Sequence, residues 1–235
     1  MTTANQVTVD QAAADRAAGD RVGSLPIDRP LSVALREGSR LEHQAAEDSP
    51  FMTRLVAGEV GAEGYAAYLL RLREVYAALE SVGQAHRDLP AVAAVLDPAL
   101  DRLAAIDADL DYWSPGGARE VDSPAAAAYA ARVRASVDLA AGGGYVAHHY
   151  TRYLGDLSGG QVVGRMLTRE FGLAGDGVAF YNFPAIPKPK PYKDAYRARL
   201  DALPLAPTER DTVVDEVRAA FSLNQALFAE LGQLG

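Results

Sequence analysis

The chain has 235 residues, 49% of them hydrophobic, a formal net charge of -8 and no cysteine. That length and apolar content suffice for one domain with a substantial core, and the acidic balance, with no basic stripe, argues against a nucleic-acid partner. The absence of cysteine excludes disulfides, thiolate nucleophiles, iron–sulfur clusters and Cys-ligated zinc, and it is compatible with the reducing cytoplasm in which we expect the protein to work.

In chain order, MTTANQVTVDQAAADRAAGDRVGSLP has no basic region followed by a continuous apolar core, so no signal peptide is expected. No run of eighteen apolar residues occurs, so neither a transmembrane helix nor a membrane anchor is expected. Residues 1–27 are read as a mobile extension, small and polar in composition, and residues 28–235 as the folded domain. From Leu31 the pattern is helical almost throughout, with no convincing alternating strand, and the class is all-α. A first helix is predicted from about Leu31 to Glu47, stopping near Pro50. A second carries Tyr65, Tyr68, Leu69, Leu72, Val75, Tyr76 and Leu79, and shorter pieces flank Pro98. SPGGAREVDSP reads as a loop, AAAAYAARVRASVDLAA as a helix, and GGGY as its end. A glycine-interrupted helix follows, then an extended proline-rich stretch, then helix again over YKDAYRARLDAL. The last helix starts at PTERD with Thr208 as its expected N-cap, and its stripe is Val214, Val217, Phe221, Asn224, Phe228 and Leu231. Asn224 is the one polar member of that stripe.

Three groups of residues carry possible chemistry. On the first helix, His43 has Glu47 one turn on and Arg36 two turns back, so a metal-ligating imidazole, a carboxylate to fix its tautomer and a cation share one face. The same spacing also suits ordinary residues on a partly solvated face. His86 and His149 read as surface residues, and His148 as lying beside the core. In YLGDLSGGQ, Gly155 and Gly159 are i, i+4 neighbours and Gly160 is adjacent, at a cost of about 3 kcal/mol for three glycines in a helix. Either a flat ligand lies on the bare backbone or another helix packs closely there. Asp156 beside them must be hydrogen-bonded or hydrated. Lys193 and Arg197 form an i, i+4 cationic pair, and Lys188 and Lys190 lie in the proline-rich stretch; all four could be solvated surface charges.

Taken together, these residues resemble the haem oxygenase family. YTRYLGDLSGGQVVGRML is similar to the family's distal-helix signature, HQAAEDSPFM to its proximal helix, and FYNFPAI, YKDAYRARL and AFSLNQALFAEL to later segments in order, over about Leu31 to Leu231. The resemblance implies a single-domain helical fold with haem b, both substrate and cofactor, sandwiched between the proximal helix and a kinked glycine-rich distal helix. It makes His43 the iron ligand, Glu47 its support, and Arg36, Tyr150, Lys193 and Arg197 the propionate-binding residues. Arg36 stands where a lysine is common. Asp156, with Tyr76, Arg152 and Asn224, would organise distal water, and Gly155, Gly159 and Gly160 would let the distal helix bend over the ring. The implied reaction uses O2 and electrons from an external ferredoxin or flavoprotein reductase to open the macrocycle at a meso carbon, α expected, giving biliverdin, CO and ferrous iron. A monomer is expected. Two competing readings are a haem-storage or trafficking protein, which would not need Asp156, and a helical interaction protein whose glycines serve packing alone.

Overall fold

The computed structural model describes residues 29–234, so the expected extension over residues 1–27 lies outside the described residues. Eleven α-helices occur among them: α1 (Leu31–Gly38), α2 (Arg40–Glu47), α3 (Pro50–Ala57), α4 (Ala62–Ala85), α5 (Pro90–Val95), α6 (Leu103–Trp113), α7 (Pro124–Ser136), α8 (Gly143–Asp156), α9 (Gly160–Phe171), α10 (Pro189–Asp201) and α11 (Pro207–Leu231). No strand forms among the described residues, as the patterning predicts. No helix among them is long and apolar enough to cross a membrane.

Two long helices organise the core. Tyr65, Leu69, Leu72, Tyr76 and Leu79 recur at three- and four-residue steps along α4 and are fully buried, the three leucines each contributing roughly 1.5–3 kcal/mol by leaving water. This face packs against α6 and α7. The predicted stripe of α11 is buried at Val214, Val217, Asn224, Phe228 and Leu231, and α11 runs along α8 while touching α1, α2, α3 and α7.

Several boundaries differ from the sequence reading, each for a local reason. The first helix is two helices. At Ser39 the backbone leaves helical geometry (φ -111°, ψ 14°), and its hydroxyl donates to Leu35 O at 2.7 Å. Gly38 lies so close to α11 that a Cβ would stand 2.6 Å from Val214 Cγ1, and Arg218 Nε donates to Gly38 O at 2.7 Å. Pro50 does end the helical run before it, but it also starts α3 at the first helical position, where its missing N–H costs nothing. The GGGY segment opens α8 rather than ending α7 alone: a Cβ on Gly143 would meet Val213 at 2.6 Å, and one on Gly144 would meet Ser136 O at 2.3 Å. The helix predicted over YKDAYRARLDAL begins three residues earlier, at Pro189. Thr208 is not the N-cap of α11; Ala206 is, because Pro207 takes the first helical position, and Glu209 reaches back to accept from Ala206 N at 2.7 Å.

His149 is not at the surface. Helix α8 is enclosed on nearly every side, so His149 is buried with Nδ1 2.8 Å from the Tyr196 hydroxyl. Burial pushes its imidazole down to about 3, and the Arg199 guanidinium adds to the shift. His148 is fully buried with Nε2 2.7 Å from Glu216, and His86 is exposed at the end of α4.

Two predictions follow from this packing. Ala140 and Ala141 are both left-handed (φ 48° and 51°) in the turn before α8, where an L residue costs about 1–2 kcal/mol. Glycine relieves that strain and gives back about 0.5–1 kcal/mol in unfolded-chain entropy, so Ala141→Gly should raise stability by about 0.5–1 kcal/mol in urea denaturation. The His149 imidazole, depressed from 6.5 to about 3, stabilises the fold fully above pH 6.5 and loses that contribution as pH falls toward 3. The loss reaches about 2 kcal/mol near pH 5. His149→Gln keeps a hydrogen-bonding side chain and should remove that part of the difference between denaturation curves near pH 7 and pH 5.

Candidate active site

A cavity of about 690 Å³ lies between α2 on one side and the α8–α9 junction on the other, with α3 and α11 closing it. That size falls in the range of about 300–1,000 Å³ usual for small-molecule sites.

On the α2 wall, His43 faces the cavity with its side chain 52% exposed. Its ring meets Phe221 of α11 edge-on at 5.2 Å between centroids. Nδ1 is 3.5 Å from Glu47 Oε2, so a proton held on Nδ1 leaves the Nε2 lone pair free, the tautomer that ligates a metal. The one-turn spacing read from the sequence therefore brings these two side chains together. Arg36 stands at the rim, 72% exposed. Arg40, absent from the sequence reading, also lines the cavity; it precedes His43 by three residues, a helical spacing that could have revealed it.

The opposite wall is the kink between α8 and α9. Ser158 and the adjacent glycines interrupt the helix, a Gly/Ser break of the kind that bends helices sharply. Turns of the tighter kind replace the regular ladder: Ser158 N donates to Gly155 O at 3.0 Å and Val162 N to Gly159 O at 2.9 Å. A Cβ on Gly155 would meet nothing within 4 Å, and one on Gly159 only the Gly155 carbonyl at 4.0 Å. Both glycines are exposed and line the cavity, presenting bare backbone opposite the His43 imidazole. Gly160 lines the cavity too, but its Cβ would also stand 3.1 Å from the Tyr181 ring, and one on Gly164 would stand 2.8 Å from Tyr181 Cβ, so close packing adds to the reason for glycine here. Gln161 pins the same region, its amide donating to Tyr181 O at 2.8 Å and Asp156 O at 3.2 Å.

Behind the kink lies a buried polar network. The Tyr76 hydroxyl donates to Asp156 Oδ2. Arg152 Nε donates to the Tyr76 oxygen at 3.2 Å and Nη1 to Asn224 Oδ1 at 2.7 Å, while Nη2 lies 3.6 Å from Asp156 Oδ1. Asp156, Arg152 and Asn224 reach the cavity surface; Tyr76 does not, and acts on it through Asp156. Burial pushes the Asp156 carboxyl above the ordinary carboxylate range, against the opposing pull of Arg152, the Tyr76 hydrogen bond and Arg102. The Tyr76 phenol is pushed well up, again by burial first.

The polar rim joins α8 and α10. Tyr150 and Arg197 line the cavity. Burial raises the Tyr150 phenol, while Arg197 and Arg36 stand near enough to pull it back. Arg197 Nη1 also donates to Asp194 at 3.1 Å. Lys193 does not itself line the cavity; its Nζ donates to Ser158 Oγ at 2.7 Å and to Leu157 O at 3.3 Å. Lys188 and Lys190 are exposed, and Lys190 pairs with Asp194. Sequence reasoning also missed Asp109, fully buried on α6, which accepts from Ala179 N and Phe180 N at 2.7 and 2.8 Å. Burial pushes its carboxyl up to about 6 against those two bonds. With Arg102, whose guanidinium donates to Asn182 O at 2.6 Å, it holds the loop that places Tyr181.

The residues present fit a flat macrocycle: an exposed imidazole on one wall, a glycine cradle that a Cβ would fill on the other, and cations with a phenol at the rim. Comparison with known proteins points the same way. The family model described as "Heme oxygenase" matches residues 29–230. Heme oxygenase 1 of Homo sapiens is 38% identical over 220 residues, covering 90% of this chain and 74% of the human protein. Heme oxygenase 1 of Synechocystis sp. is 36% identical over 203 residues, covering 86% of this chain and 84% of that protein. The crystal structure of heme oxygenase-1 from Synechocystis in complex with heme superposes with a TM-score of 0.82 at 34% identity, over 87% of this chain and 93% of that one. With the family model spanning nearly all described residues and relatives above 30% identity over most of the sequence, the chain belongs to the heme oxygenase family.

Proposed function

We propose that haem b enters the cavity as substrate between α2 and the α8–α9 kink and is opened at its α-meso carbon to biliverdin, CO and ferrous iron. The observation that carries this reading is the opposition of His43 to the bare backbone of Gly155 and Gly159, with the Asp156 network directly behind. When bound, haem supplies both the iron at which O2 is reduced and the carbon that is oxidised. The chain's own groups do the rest. His43 offers Nε2 to the iron, and Glu47 keeps the proton on Nδ1, which makes the imidazole a better donor. Gly155 and Gly159 let the helix backbone approach the ring face, which confines small molecules bound there to one side.

Asp156 receives and hands on protons through water held against the kink. Tyr76 and Arg152 orient its carboxylate, and Asn224 holds Arg152, so the acid stays fixed while water moves. A storage or trafficking protein would need this network for packing, but not an acid brought to the cavity surface. Arg36, Tyr150, Lys193 and Arg197 bind the two propionates and thereby set the in-plane rotation of the ring, which chooses the meso carbon. Electrons come from an external ferredoxin or flavoprotein reductase, and the protein works as a cytoplasmic monomer.

Aerobic turnover of the purified protein with stoichiometric haemin, ascorbate and catalase should convert the Soret band to biliverdin IXα, identified by chromatography. A stable complex that no electron donor can turn over would favour storage instead. Asp156→Ala should keep stoichiometric haem binding yet lose biliverdin formation by about 100-fold or more; normal turnover would remove Asp156 from the proton path. His43→Ala should abolish the iron–histidine stretching mode in resonance Raman spectra of the ferrous complex, and an unchanged mode would mean that another side chain holds the iron.

A further inference from the structure

The kink leaves carbonyls that no regular helical bond satisfies. Asp156 O is taken by Gln161 Nε2 at 3.2 Å, and Ser158 O by Gln161 N at 3.2 Å. Leu157 O is taken from outside the helix pair, by Lys193 Nζ of α10 at 3.3 Å. A cation is well placed there, because the C-terminal end of α8 carries the negative end of the helix dipole. The same ammonium donates to Ser158 Oγ at 2.7 Å, and Ser158 is exposed on the cavity surface.

An ammonium has three N–H donors. Two of those on Lys193 are directed at the kink; the third has no acceptor among the described contacts and, since Lys193 adjoins the cavity through Ser158 without lining it, serves a carboxylate at the rim. Arg197, one turn along α10, lines the cavity at the same rim. Burial and the neighbouring Arg197 push the Lys193 ammonium down, with Asp194 opposing them. Ser158, having accepted from Lys193, keeps its own O–H to donate into the cavity.

We propose that Ser158 is a positioning residue for the site of ring opening: by fixing Lys193 Nζ, it makes one ammonium hold the substrate's carboxylate and the distal kink in a single register. This rests on the haem-cleaving reading above. Regiochemistry depends on two things, the rotation of the macrocycle and the place where the glycine backbone shields it. The Lys193–Ser158 contact ties them, so a shift of one carries the other with it.

The test uses Ser158→Ala, Ser158→Thr, Lys193→Met and the Ser158→Ala/Lys193→Met double variant in the full chain. Without haem, amide hydrogen exchange over residues 157–160 should speed up in Ser158→Ala and in Lys193→Met, and return to the parent rate in Ser158→Thr. With haemin and cyanide, the proton NMR spectrum reports the ratio of in-plane orientations. Ser158→Ala should change that ratio by about fivefold, the effect of one net hydrogen bond, with a matching shift in biliverdin isomers. Ser158→Thr should restore it, and the double variant should equal Lys193→Met alone. Unchanged exchange and orientation in Ser158→Ala, failure of Ser158→Thr to rescue, or additive effects in the double variant would overturn the proposal. The exchange arm needs no haem, so it separates a failure of this clamp from a failure of the functional reading, which would appear as a parent protein that forms no one-to-one haem complex.

Discussion

A guanidinium withdrawn from water demands partners on every side, and Arg152 is buried in the middle of α8. Its Nη1 satisfies Asn224 on α11, its Nε meets Tyr76 on α4, and its Nη2 faces Asp156 one turn on. Three helices are thereby held to one charge. Removing any partner would leave a buried polar group uncompensated, a penalty of about 1–3 kcal/mol or more. The network therefore does two things with one set of bonds. It fixes the packing of α4, α8 and α11, and it delivers one carboxylate, Asp156, to the cavity surface in a defined pose.

The glycines at the kink divide along the same line between structure and chemistry. Gly155 and Gly159 have open space where a side chain would be and line the cavity, so packing within the chain does not explain them. Gly164, and more loosely Gly160, make room for the Tyr181 side chain that rests on them. Tyr181 in turn is placed by a loop tied down through Asp109, Arg102 and Gln161. The bend is thus supported from below by aromatic packing while its upper face stays bare.

Much of this was legible in the sequence because it rests on local spacing. His43 and Glu47 are one helical turn apart, and the stripe of α11 announced Asn224 as its polar exception, whereas the association of Arg152 with Asp156 came from the family resemblance. What could not be read depends on partners distant along the chain. That Gly160 meets Tyr181 as well as the cavity is decided by a loop twenty residues on. Whether His149 is exposed depends on Tyr196, and the split of the first helix at Ser39 follows from the approach of Val214 to Gly38. Lys193 is the subtlest case. Its spacing from Arg197 put both cations on one face, but the acceptors that hold it, Ser158 and Leu157, belong to the kink.

One helix sets the distance between the two walls. Phe221 and Asn224 are three residues apart on α11, so they lie on the same face; Phe221 meets the His43 ring, and Asn224 meets Arg152. The imidazole side and the acid side of the cavity are therefore referenced to adjacent turns of a single rod. The axial register of that rod is fixed further along, where Val214 and Arg218 engage Gly38 and Val213 packs on Gly143. Both contacts favour glycine, because a Cβ at either position would stand 2.6 Å from a valine methyl of α11. A side chain at either position would consequently act at a distance. It would leave His43 and Asp156 chemically intact while changing the gap between them, and that gap determines whether a flat ring can touch both walls at once.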